Sequence, residues 1–124
     1  MPRYVGLLKC RGGWGVAEVD VRQGQRDITV RLSKTRPRAR RLASPHARRP
    51  VRPEDVYAAL QGGVRPLDPR RSLLGRKERW KLVQVAFPGL PVPKPPRGMS
   101  EADVLDLLIL AWAASRRPSL LRLA

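Results

Sequence analysis

Apolar and charged residues alternate with a period of two along Val16-Ala17-Glu18-Val19-Asp20-Val21 and again along Asp27-Ile28-Thr29-Val30-Arg31-Leu32. This is the pattern of strands with one face buried and the other wet. A shorter apolar run, Tyr4-Val5-Gly6-Leu7-Leu8, predicts a first strand. Cys10-Arg11-Gly12-Gly13 and Arg22-Gln23-Gly24-Gln25 supply turns, because glycine permits the positive φ values that close a hairpin. The first third of the chain therefore predicts a three-stranded meander.

Beyond it the period lengthens. Val51 to Leu60 fits either a strand or a short helix ending at Gly62-Gly63, and Asp55 to Leu60 is read as helical. Asp68-Pro69 resembles a cap followed by proline at the first helical position, with apolar residues at Leu73, Leu74, Trp80, Val83 and Phe87 before Pro88-Gly89 stops the helix. A proline-rich connector leads to a last helix, where Ser100-Glu101-Ala102-Asp103 forms a capping-box pattern ahead of an apolar run ending at Arg116-Arg117-Pro118. Trp14, Trp80 and Trp112 could stack on bases, but Trp80 and Trp112 lie on the apolar faces of their helices and are expected in the core.

Composition narrows the class. At 124 residues and 42% hydrophobic content, a single domain spanning residues 1–124 with one modest core is expected. No apolar run approaches the ~18 residues needed to span a bilayer, and Met1 to Arg11 lack the features of a signal peptide, so a soluble cytoplasmic protein with no membrane partner is expected. One cysteine and one histidine cannot assemble a structural zinc site. Any metal would have to be held by carboxylates. Cys10 reads as a small packing residue, since no histidine lies near it in sequence, and His46 as a loop residue.

The net charge of +16 points to phosphate-bearing partners, nucleic acid first. Arginine outnumbers lysine 21 to 5, which a GC-rich coding sequence or a thermophilic source would explain. Neither accounts for only 10 acids against 26 bases. From Ser33 to Pro53 the chain carries eight basic residues and no acid, an Arg- and Pro-rich loop suited to phosphate contact through Arg36, Arg38, Arg40, Arg41, Arg48 and Arg49. Arg70, Arg71, Arg76 and Arg79 extend that candidate nucleic-acid surface.

Three stretches resemble a bacterial family of predicted ribonuclease-H-like nucleases. Val5-Gly6-Leu7-Leu8-Lys9-Cys10-Arg11-Gly12-Gly13-Trp14 is similar to its opening motif, glycine, apolar residue, aspartate, glycine, then Cys-x-Gly-Gly-Trp, with Leu8 standing where the family has the aspartate. Arg70-Arg71-Ser72-Leu73-Leu74-Gly75-Arg76-Lys77-Glu78-Arg79 is similar to a basic pair and Ser or Thr followed by Gly-Arg and a further Arg. Ala102 to Ala114 resembles the family's last helix, with an Asp-x-x-Asp pair before Ala-Trp, and Val51-Arg52-Pro53-Glu54 echoes its Pro-Glu motif.

The resemblance implies an α/β fold: a reduced ribonuclease-H-like domain, its meander packed with the carboxy-terminal helices and much of its middle deleted. It implies catalytic and metal-binding roles for Glu54, Asp103 and Asp106 with Mg²⁺ or Mn²⁺. Leu8 offers no ligand, so nuclease activity is expected to be vestigial, leaving nucleic-acid binding. The alternatives are an active metal-dependent nuclease, or a homodimer formed through a strand edge that the deletion exposes. The residues themselves leave other roles open: Asp103 also fits a capping box, and Asp106 an ion pair with an arginine.

Overall fold

The computed structural model describes residues 3–22, 25–35 and 52–123. Strands β1 (Arg3–Cys10), β2 (Gly13–Arg22) and β3 (Gln25–Ser33) form an antiparallel sheet in the order β1-β2-β3. Register runs from Arg3 opposite Asp20 to Cys10 opposite Gly13, and from Trp14 opposite Ser33 to Arg22 opposite Gln25. The meander expected from the alternation is therefore present, and with three helices it makes an α/β chain. The helices are α1 (Pro53–Leu60), α2 (Leu73–Ala86) and α3 (Glu101–Leu123).

Helix α3 is the hub. It lies on β1 and β2 along one side and packs against α1 and α2 along the other. From Ala102 to Ile109 every residue is buried, which is why this stretch is apolar nearly all round instead of striped. Gly6 makes the close approach possible: a Cβ there would stand 2.9 Å from the amide nitrogen of Ala111 and collide with the carbonyl of Leu107, both backbone atoms of α3. Because side chains alternate across a strand, Leu8 and Cys10 point to the same face as Gly6. Leu8 is half-buried against the core, and Cys10 belongs to it, in keeping with a packing role.

Two helices differ from expectation at their starts. α1 begins at Pro53, two residues early, with proline at the first position and Glu54 and Asp55 in the first turn, where acids complement the helix dipole. α2 begins at Leu73, not after Asp68. Its cap is Ser72, whose hydroxyl accepts from Gly75 N at 3.0 Å. At Asp68-Pro69 the chain turns without starting a helix: Pro69 O accepts from Ser72 N at 3.0 Å and from Ser72 Oγ at 2.8 Å, while the Glu78 carboxylate takes the amides of Leu67 and Asp68 at 3.0 and 3.2 Å.

The buried face of α2 is also rotated from the one expected. Gly75, Arg79, Leu82, Val83 and Phe87 turn inward, a stripe at i, i+4, i+7, i+8 and i+12 that a charged residue interrupts. Leu73, Leu74 and Trp80 are exposed, Trp80 by 47%, so Trp80 is not a core residue. Trp112 packs against the core as expected. α3 continues to Leu123, past the proline expected to stop it; no described contact explains that. No helix among the described residues is long and apolar enough to cross a membrane.

Candidate functional site

Asp103 and Asp106 stand one turn apart on α3 and face the same way, as their spacing requires. Their side chains are only 9% and 4% exposed. Carboxylates so deeply placed need partners, and all four of their oxygens have one. The Arg70 guanidinium bridges the pair, with Nη2 donating to Asp103 Oδ1 at 2.6 Å and Nε to Asp106 Oδ2 at 2.9 Å. The Tyr57 hydroxyl, brought in by α1, donates to Asp106 Oδ1 at 2.9 Å. The Ser100 amide donates to Asp103 Oδ2 at 3.1 Å, while the Ser100 hydroxyl accepts from Asp103 N at 3.2 Å. Asp103 thus closes a reciprocal capping box and an ion pair together.

Glu54, the third expected carboxylate, is held by Arg79. This guanidinium is 2% exposed and makes five bonds, matching its five N–H donors. Nε and Nη2 donate to Glu54 at 3.0–3.2 Å. Nη1 donates to the carbonyls of Asp68 at 2.9 Å and Gly75 at 3.0 Å. Its carbon also lies 5.6 Å from the Tyr57 ring centroid, within cation–π range. Tyr57 therefore joins the two ion pairs into one network.

The protonation states follow from these contacts. Burial opposes ionisation of Asp103, but the bonds from Arg70 and Ser100 outweigh it and hold its carboxyl below the usual carboxylate range. For Asp106, more deeply placed, burial wins over Arg70 and Tyr57 and pushes the carboxyl up. Burial and the Asp106 carboxylate push the Tyr57 hydroxyl far up, so it stays a donor. Burial and Asp103 likewise push the Cys10 thiol up, the opposite of what a nucleophile needs.

Glu54, Asp103 and Asp106 are thus brought to one region, yet each is committed to an arginine. Among the described residues no group of three or more His, Cys, Asp or Glu is placed to hold a metal ion, and Leu8 brings no oxygen to the face beside Gly6 and Cys10. Of the arginines expected at a nucleic-acid surface, Arg70 and Arg79 are spent on these carboxylates. Arg76 bonds Glu101 at 2.9 Å, and Arg71 is exposed. Arg36, Arg38, Arg40, Arg41, Arg48 and Arg49 lie outside the described residues, as does His46. Sequence reasoning missed Tyr57 and the structural role of Arg79; the available signal was an arginine inside the apolar stripe of α2.

Comparison with protein-family models, curated proteins and solved structures finds no match for this chain.

Proposed function

We propose that this chain is a nucleic-acid-binding protein with a reduced ribonuclease-H-like fold, in which arginines occupy the carboxylates that would otherwise serve metal ions. The observation that carries the reading is the Arg70 bridge, which takes one oxygen each of Asp103 and Asp106 while Tyr57 and Ser100 take the others. A metal pair ~4 Å apart needs several converging oxygens and an open position for water. The residues present do not fit that demand, and no hydrolytic step is assigned to them. Nuclease activity is, on this reading, vestigial.

Charge supports the binding half. At least six of the ten acids are paired internally with arginine, namely Glu18, Glu54, Asp55, Glu101, Asp103 and Asp106. Over the whole chain 26 bases meet 10 acids, an excess of +16 that makes a field suited to a phosphate backbone. Such contacts position a polyanion without reading its sequence.

The test is a salt series with two duplexes of unrelated sequence, alongside a cleavage assay in Mn²⁺. Comparable affinities that fall steeply with salt, and no cleavage, are expected. Salt-independent binding, or a strong preference for one sequence, would overturn the binding reading. Metal-dependent turnover abolished by Asp106→Asn would overturn the claim that activity is vestigial.

A further inference from the structure

We propose that a groove between α2 and the proline-rich connector receives an unpaired base of single-stranded nucleic acid, stacked on Trp80, with the neighbouring phosphates on Lys77 and Lys94. The inference rests on the polyanion-binding reading above and gives it a place and a substrate class. The groove encloses about 370 Å³, within the range of small-ligand sites, ~300–1,000 Å³. One wall is α2, which presents Trp80, 47% exposed. The facing wall includes Pro93 and Pro95, whose rings fix the local backbone torsion, so this side is pre-shaped and apolar.

The rim is basic. Lys77 precedes Trp80 by nearly one turn of α2, Lys94 lies on the connector, and both are exposed and line the groove. Neither takes part in an ion pair among the described residues. The acid in the lining, Glu101, is paired with Arg76 at 2.9 Å, so the two together add no net charge to the groove. An aromatic face between unanswered cations is how proteins hold single strands without reading their sequence: bases stack and phosphates meet lysine. A duplex keeps its bases stacked inside and offers this groove only its backbone.

The experiment measures binding of a labelled single strand of about 12 nucleotides, within the usual site sizes, and of a duplex of equal length. It compares the parent with Trp80→Ala, Trp80→Phe and Lys94→Gln. Trp80→Ala should weaken single-strand binding about tenfold and duplex binding by less than about twofold, while Trp80→Phe keeps most of the affinity. Lys94→Gln, outside any helix, should weaken single-strand binding and lower its salt slope by about one. Equal losses on both ligands, or none, overturn the groove and leave the polyanion reading standing. A parent that binds neither ligand removes that reading and the groove with it. An acidic, leucine-containing peptide whose binding needs Trp80, while single-strand binding does not, overturns the proposal in favour of a protein partner.

Discussion

Removing Arg70 tests the carboxylate network directly. Arg70→Ala strips the cation from two carboxylates that are 9% and 4% exposed and leaves two like charges one helical turn apart. Breaking a buried ion pair from one side costs about 3–5 kcal/mol, and a hydrogen bond to a charged group contributes about 1.5–3 kcal/mol. The Arg70 side chain is itself 30% exposed, and water can reach part of the gap. A loss of about 2–4 kcal/mol is therefore expected, roughly 10 °C in melting temperature for a chain of this size.

The pH dependence identifies the cause. Burial already pushes Asp106 up with Arg70 in place, and without the guanidinium its folded-state pKa must rise further. A group with a raised folded-state pKa adds stability at low pH and loses it as pH rises through that value. Arg70→Ala should thus be hurt more at pH 7 than at pH 5. Urea unfolding followed by circular dichroism at both values measures this. Replacing the acids as well, in Arg70→Met/Asp103→Asn/Asp106→Asn, should recover most of the loss, because it leaves no unpaired buried charge. A cost for Arg70→Ala below about 1 kcal/mol, equal at both pH values, would refute the view that the bridge is a buried structural element.

Three further outcomes follow from the same geometry. Gly6→Ala places a methyl group against the backbone of α3 at Leu107 and Ala111 and should cost about 1–3 kcal/mol or more; a urea midpoint at or above the parent's would show that α3 can back away freely. Asp103 has a lowered folded-state pKa, so its contribution is complete above the unfolded value of ~3.9 and fades as pH falls through the folded one. The stability gap between parent and Asp103→Asn should accordingly be open at pH 6 and close in strong acid, and a gap constant with pH contradicts the assignment. Leu8→Asp should lose about 2 kcal/mol or more, since Leu8 packs against the core, and millimolar Mn²⁺ should not restore it; a metal-dependent rise in melting temperature would show that the carboxylates remain open to ions.

The strands of the meander were legible because alternation is a local signal and nothing in the tertiary structure opposes it; of the two predicted turns, the second, at Gln23-Gly24, lies outside the described residues. α2 was legible as a helix but not in its orientation. Its inward stripe contains Arg79, and a charged residue counts against burial in any hydrophobic pattern, so Leu73, Leu74 and Trp80 looked like the better face. Its start was obscured by Asp68-Pro69, a good cap signal that gives way to Ser72, which bonds back to Pro69 O and caps the helix at Gly75 N. In the site, Asp103 and Asp106 could be placed on one face from spacing alone. Ser100 was legible as a capping partner of Asp103, but the distant partners were not: Arg70 is 33 and 36 residues away and Tyr57 is 49 residues from Asp106, and no local rule couples such positions. Arg70 and Arg79 were read as phosphate contacts because in so basic a chain nothing in the sequence separates an arginine facing solvent from one turned inward.

The charge count at the site explains why an arginine suffices there. Asp103 and Asp106 present two negative charges to one guanidinium, while Glu54 and Arg79 neutralise each other nearby. The surplus is tempered by the Tyr57 hydroxyl, the Ser100 amide and the partial positive charge at the start of α3. A metal pair would bring four positive charges to the same three acids, and among the described residues no group of three or more His, Cys, Asp or Glu is placed to hold a metal ion. A guanidinium offers no coordination position for a water, so it holds the helices together without supplying the Lewis acidity of a metal ion. On the proposed reading, Leu8 replaces the acid that a metal pair needs, and the remaining acids become the anchors that fix α1, α2 and α3 to one another.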